Sequence, residues 1–121
     1  MAGTSDAPAT GAIPAGQAEE YLVGTLEELP AVGGAVVELG GRRVAVVRDS
    51  AGTVHAIDDT CTHANVSLAE GEVIGDTIEC WLHGSEFDLN DGYPLSLPAT
   101  KPVAVHRVRL DGPSIYVTLA D

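Results

Sequence analysis

Positive charge is scarce in this 121-residue chain. Six Lys and Arg stand against eighteen Asp and Glu, for a net charge of -12. Phosphate binding needs clustered bases, so nucleic acid is excluded as an expected partner. An anionic membrane surface is excluded for the same reason. Cysteine is scarce too: two residues, far below the density of a disulfide scaffold. No apolar run reaches membrane-spanning length. The start, Met1-Ala2-Gly3-Thr4-Ser5-Asp6, lacks a positive segment followed by an apolar one, so no signal peptide is expected. Together these absences predict a soluble protein in a reducing cytoplasm, where thiols are available to bind metal.

The length allows one domain with a modest core, and is too short for a carrier domain plus a catalytic domain. Hydrophobic residues make up 45% and charged residues 20%, which predicts a globular fold. Residues 1–18 are mostly Ala, Gly, Pro, Thr and Ser and read as a flexible tail, leaving 19–121 as the folded domain. From Glu20 onward, short strand patterns alternate with turn signals. Strands are expected at Tyr21–Thr25, Ala35–Leu39, Arg42–Arg48, Thr53–Asp58, Thr77–Cys80, Val103–Leu110 and Ile115–Leu119. Gly40-Gly41 and Asp111-Gly112-Pro113 mark hairpins. Glu27–Leu29 has room for a helical turn at most. No long 3.6-residue period and no internal repeat occurs. The fold class is all-β, a small antiparallel sandwich or barrel.

Between Arg48 and Lys101 there is no Lys or Arg, while nine acids fall within 58–91. That middle third is a separate acidic zone, suited to a partner with a basic docking patch. It also holds every candidate ligand. Cys61-Thr62-His63 and Cys80-Trp81-Leu82-His83 each offer one thiolate and one imidazole near the end of an expected strand. Three sites could use them. A Cys2His2 zinc site would take all four around one ion. A disulfide would take the two cysteines alone. An iron–sulfur centre of mixed ligation would put two Cys on one iron and two His on the other. Zinc fingers usually pair Cys with Cys in one knuckle and His with His in the other, whereas here each loop supplies one of each.

At these residues the chain resembles the Rieske family, whose motif is C-x-H, a spacer, then C-x2-H. The likeness runs on through Cys80-Trp81-Leu82-His83-Gly84-Ser85-Glu86-Phe87-Asp88, similar to the second cluster loop, and Leu97-Pro98-Ala99-Thr100, similar to the loop covering the cluster. It spans about residues 20–121. It implies a β base carrying a two-loop cluster-binding subdomain, at about residues 59–100. It implies a [2Fe–2S] cluster held by Cys61, His63, Cys80 and His83, with Trp81, Gly84, Ser85 and Pro98 around it. Trp81 would act as an apolar lid, Gly84 would permit a tight turn bringing backbone N–H groups toward sulfide, and Pro98 would shape the covering loop. Neutral imidazoles in place of two thiolates make electron uptake easier, placing such centres at roughly −150 to +300 mV against about −400 mV for four-Cys plant-type centres.

Within the family, the respiratory type carries a membrane helix and a further Cys pair; this chain has Val66 and Leu82 where that pair is expected, and Phe87 where a tyrosine donor would sit. A potential toward the low end of the Rieske range follows. Only His106 remains after His83, so no mononuclear oxygen-activating iron can be built. The resemblance therefore implies an electron carrier and not an enzyme: a ferredoxin, expected to be monomeric, passing single electrons from a flavin-dependent reductase to a terminal oxygenase of the aromatic-ring dioxygenase type. Its alternatives are the small subunit of a nitrite-reductase-like enzyme, a ferredoxin serving iron–sulfur assembly, and, remotely, a zinc-binding module. His55 and His106 read as ordinary strand residues, Tyr93 as turn packing, and Glu86 as a surface acid that could lower the potential and shape docking.

Overall fold

The computed structural model describes residues 20–62, 65–82 and 84–120. The expected tail over residues 1–18 lies outside them. Nine strands are present among the described residues: β1 (Glu20–Thr25), β2 (Gly33–Leu39), β3 (Arg42–Arg48), β4 (Val54–Asp58), β5 (Glu72–Ile74), β6 (Thr77–Glu79), β7 (Glu86–Asp88), β8 (Val105–Asp111) and β9 (Ser114–Thr118). Two 3-10 turns, Leu26–Glu28 and Leu68–Glu70, are the helical content of these residues. The all-β expectation holds, and Leu26–Glu28 supplies the single helical turn allowed before β2.

Six strands form the base, in the order β1-β9-β8-β4-β3-β2, with every pair antiparallel. The hairpin between β2 and β3 turns at Gly40 and Gly41, both at positive φ (57° and 83°), where a side chain would clash with its own backbone. The other three strands form a small sheet, β5-β6-β7. Sequence patterning missed β5 and β7. Each is three residues long; β7 is two-thirds acidic and β5 is bounded by Gly71 and Gly75, so neither is long enough for alternation to mark it.

The run Val44-Ala45-Val46-Val47 on β3 is wholly buried, without the alternation of a half-exposed strand. It separates two apolar clusters. Val44, Val46, Val54, Ala56, Ile115 and Val117 fill the inside of the base. Ala45, Val47 and Ile57 face the other way, toward Leu68, Ile78, Phe87, Leu89, Ala99 and Val103. The second cluster joins the small sheet and its loops to the base, and it contains both cysteines.

Two histidines expected to be unremarkable are structural. His55 on β4 is buried and its Nε2 lies 2.8 Å from Asp49 Oδ2, while Asp49 Oδ1 accepts the N–H groups of Ala51 and Thr53. His106 on β8 is buried against Asp58. Tyr93 departs from the turn-packing expectation: its backbone closes the turn, with Asp88 N–H donating to its carbonyl, but its ring is exposed.

Candidate metal centre

Two loops of equal length carry the candidate ligands. The first spans 61–66 and is flanked by the bridge pair Thr60 and Ser67; the second spans 80–85 and is flanked by Glu79 and Glu86, paired between β6 and β7. Each closes in the same way. The Cys61 N–H donates to the Val66 carbonyl (3.0 Å), and the Cys80 N–H to the Ser85 carbonyl (2.7 Å), five residues on in both cases. One cysteine thus opens each loop at the end of a strand. His63 and His83 lie outside the described residues.

Cys61 and Cys80 are 3% and 1% exposed, in one apolar cluster, and no disulfide joins them. The disulfide alternative is set aside on that ground. Two buried cysteines in one apolar cluster suit a soft metal centre, and thiolates are the usual ligands of iron–sulfur clusters. Around them sit the groups expected from the sequence. Ser85 is fully buried, and its Oγ accepts the Ala99 N–H at 2.9 Å, which turns the hydroxyl proton away from Ala99. Phe87 is fully buried and brings no donor. Gly84 has φ 79°, the tight turn anticipated, but its own N–H donates to the Cys80 carbonyl (2.8 Å) and so braces the loop instead of reaching outward.

A third segment ties the two loops together. Residues 94–101 run beside both. The Leu95 N–H donates to the Glu86 carbonyl, and Ser96 Oγ accepts from the Glu86 N–H. Thr62 Oγ1 donates to the Lys101 carbonyl at 2.7 Å. Pro98 lies in this segment, after a cis Leu97-Pro98 bond. Sequence reading singled out Pro98 but missed Thr62 and Ser96, whose short polar side chains give no signal until the loops are seen side by side.

The rim mixes exposed apolar side chains with exposed polar ones, Thr62, Asn65, Ser96 and Thr100. Trp81 is 51% exposed and Leu97 77%, with Leu82 and Leu95 also exposed. Half of the Trp81 side chain is open to solvent, which departs from the expectation of a closed apolar lid. Below the loops, the acidic zone proves to be divided. Asp58 takes a bidentate contact from Arg42 (2.9 and 3.1 Å), and Asp59 pairs with Arg43 at 3.4 Å. The seven acids between 60 and 100 have no base within their own stretch.

Residues 19–107 match the family model of the Rieske [2Fe-2S] domain. The chain belongs to the Rieske [2Fe–2S] family. Its cofactor is a Rieske-type [2Fe–2S] cluster, and the chain is an electron carrier and not itself a catalyst. This Rieske protein is 36% identical over 108 residues to a 3-phenylpropionate/cinnamic acid dioxygenase ferredoxin subunit of Photorhabdus laumondii, covering 84% of this chain and 96% of the relative. The ferredoxin of carbazole 1,9a-dioxygenase from Nocardioides aromaticivorans IC177 is 35% identical, with a TM-score of 0.78 over 84% of this chain and 98% of that one. A ferredoxin-bound oxygenase complex of carbazole 1,9a-dioxygenase matches at 34% identity and TM-score 0.75, covering 82% of this chain and 92% of the matched one. Among the described residues of the Rieske chain, no helix is long and apolar enough to cross a membrane.

Proposed function

We propose that this Rieske protein is a cytoplasmic ferredoxin that carries single electrons from a flavin-dependent reductase to a terminal oxygenase of an aromatic-ring dioxygenase system. In this reading Cys61 and Cys80 hold one iron, and His63 and His83 hold the other. The observation that carries it is the pair of matched loops, each opened by a buried cysteine and each containing one histidine in sequence. When bound, the cluster supplies a site for uptake and release of one electron. The chain does the rest. The loop hydrogen bonds fix the ligand-bearing segments. The buried cluster of Ile78, Phe87, Leu89 and Ala99 keeps water from the thiolate side. The buried Ser85 hydroxyl, whose oxygen accepts the Ala99 N–H, would have its proton free to donate to the cluster. The exposed Trp81, Leu82, Leu95 and Leu97 form an apolar contact surface beside it.

The partner assignment draws on the dioxygenase ferredoxins at 34–36% identity and on the structure in which such a ferredoxin sits on its oxygenase. The likeness to a nitrite reductase small subunit, at 23% identity, concerns the fold alone. The test is spectroscopic and then kinetic. The purified red-brown protein, reduced with dithionite, should give the electron paramagnetic resonance signal of two-His ligation. It should then support turnover of an aromatic dioxygenase supplied with its reductase. A colourless zinc protein, or a four-Cys type signal, would refute the ligand set. A correct signal without any turnover support would refute the partner.

A further inference from the structure

One carboxylate beneath the first loop has a role that neither metal binding nor surface solvation explains. Asp59 follows β4 and is fully buried. Its Oδ1 accepts from Ser67 Oγ (2.8 Å) and from the Ala69 N–H (3.0 Å). Its main-chain carbonyl accepts the Leu68 N–H at 2.6 Å, and its own N–H donates to the Arg43 carbonyl. Residues 67–69 are the far end of the loop that Asp59 begins. Side chain and main chain of one residue therefore hold both ends of segment 60–67 together, and tie it to β3. A neutral residue could make several of these bonds. A charge is what calls for explanation, since burying a carboxylate is costly unless it is paired. Among the described residues its paired cation is Arg43, 3.4 Å away with its own side chain half in solvent. Its compensation is partial.

We propose that Asp59 is a positioning residue for the metal centre: it clamps the loop that carries Cys61 and His63, and its buried charge holds the midpoint potential down, with Arg43 as partial counter-charge. The inference rests on the ligand set proposed above. An electron added to the centre meets a fixed negative charge two residues from Cys61, inside the protein, where neither water nor salt screens it fully. Acids of the same zone nearer the surface are better screened and have less of that leverage.

The experiment compares the cluster-loaded wild type with Asp59→Asn and Arg43→Gln by redox titration at low and high salt. Asparagine can keep the Oδ1 contacts while losing the charge. Asp59→Asn should raise the midpoint by about a tenfold change in the reduction equilibrium, about 59 mV for one electron, and the rise should persist at high salt. Arg43→Gln should lower it. Loss of cluster to a chelator should be several-fold faster in Asp59→Ala. A loaded Asp59→Asn whose midpoint is unchanged, lowered, or shifted only at low salt overturns the proposal. If Asp59→Asn does not load, the surface variant Arg43→Gln decides: a lowered midpoint supports the proposal and an unchanged one overturns it. The wild-type paramagnetic signal separates the two levels. Its absence would sink the ligand set, whereas a normal signal with unmoved midpoints would sink the role of Asp59 alone.

Discussion

Ser85 joins two duties in one hydroxyl. Its oxygen accepts the buried Ala99 N–H, and its proton remains available as a donor to the proposed cluster. Ser85→Ala should therefore act twice. An unsatisfied buried N–H costs about 1–3 kcal/mol, which thermal or urea unfolding would show. Loss of a donor to sulfur should also lower the midpoint, because such donors favour the reduced, more negative state. An unchanged midpoint would mean that the proton goes elsewhere. Gly71 makes a different case. Its φ is ordinary, so any residue could adopt its backbone, yet an added Cβ would fall inside the van der Waals shell of the Glu79 carbonyl. Gly71→Ala should destabilise the protein by about 1–3 kcal/mol through overpacking and should weaken cluster retention, since Glu79 adjoins Cys80. A melting temperature equal to wild type would show that the turn yields freely. At this scale the sequence disclosed the cysteines, Ser85 and Gly84, whose chemistry is intrinsic to the residue. It did not disclose Gly71 or Asp59, whose importance lies in what they touch. For Asp59 a signal did exist: extending the antiparallel register of β3 and β4 beyond Val44 and Asp58 brings Arg43 beside Asp59.

Elements add two constraints that single residues do not show. The first closes the C-terminal end. Arg42 donates to the Ala120 carbonyl at 2.6 Å and to both oxygens of Asp58. The Ala120 N–H donates to His106 Nδ1 at 2.9 Å, so Nδ1 must be the unprotonated nitrogen and Nε2–H donates to Asp58. Burial lowers the His106 pKa below its ordinary 6.5, against the opposing pull of Asp58, with the Arg42 charge assisting the decrease. The sign follows from linkage. The unfolded chain takes up this proton more readily than the folded one, so the stabilisation is complete above about pH 6.5 and is lost as pH falls through the depressed folded value. Asp49 behaves in the same sense at lower pH: burial opposes ionisation, but the bonds from His55, Thr53 and Ala51 prevail and lower its pKa. Thermal melts of wild type and His106→Gln between pH 7.5 and 5 should converge as pH falls. A constant gap between the two curves would remove His106 from the account. The second constraint lies in the small sheet. Glu72, Glu79 and Glu86 stand directly opposite one another across β5, β6 and β7. Like charges so placed are destabilising, by about 0.2–1 kcal/mol per pair. Glu86→Gln should recover part of this in denaturant unfolding and should raise the midpoint; a variant that is less stable, with no change in potential, would leave Glu86 as an ordinary surface acid. Long strands and glycine turns were legible in the sequence because alternation and positive φ are local. The carboxylate row was not, because it depends on the register of strands three residues long.

The whole molecule separates its charges by height. Near the base, Arg42 and Arg43 bind Asp58 and Asp59, Arg109 holds Glu20 bidentately, and the guanidinium of Arg109 lies 4.3 Å from the centre of the Tyr116 ring. The sequence suggested one unbroken acidic third; pairing across β3 and β4 confines the uncompensated part to residues 60–100. There, seven carboxylates lie on the small sheet and its flanking turns, in the same stretch as the exposed apolar Trp81, Leu82, Leu95 and Leu97. In the proposed docking, the carboxylates and the apolar contact area would divide the work of a transient encounter. Long-range attraction would orient a basic partner and speed association, while Trp81, Leu82, Leu95 and Leu97 would supply short-range contact that salt does not weaken. Exposed charges more than a Debye length apart, about 10 Å at 0.1 M salt, are largely screened. The second-order rate of electron transfer to the oxygenase should accordingly fall as salt rises, while transfer within the preformed complex should change little. Leu97→Ser should do the reverse, weakening the complex at every ionic strength without altering the salt slope. Stopped-flow measurement of both variants of condition and residue distinguishes the two contributions. A rate indifferent to salt would show that the carboxylates do not steer docking. A Leu97→Ser protein with unaltered affinity would place the contact surface away from the loops, and with it the exit path of the electron.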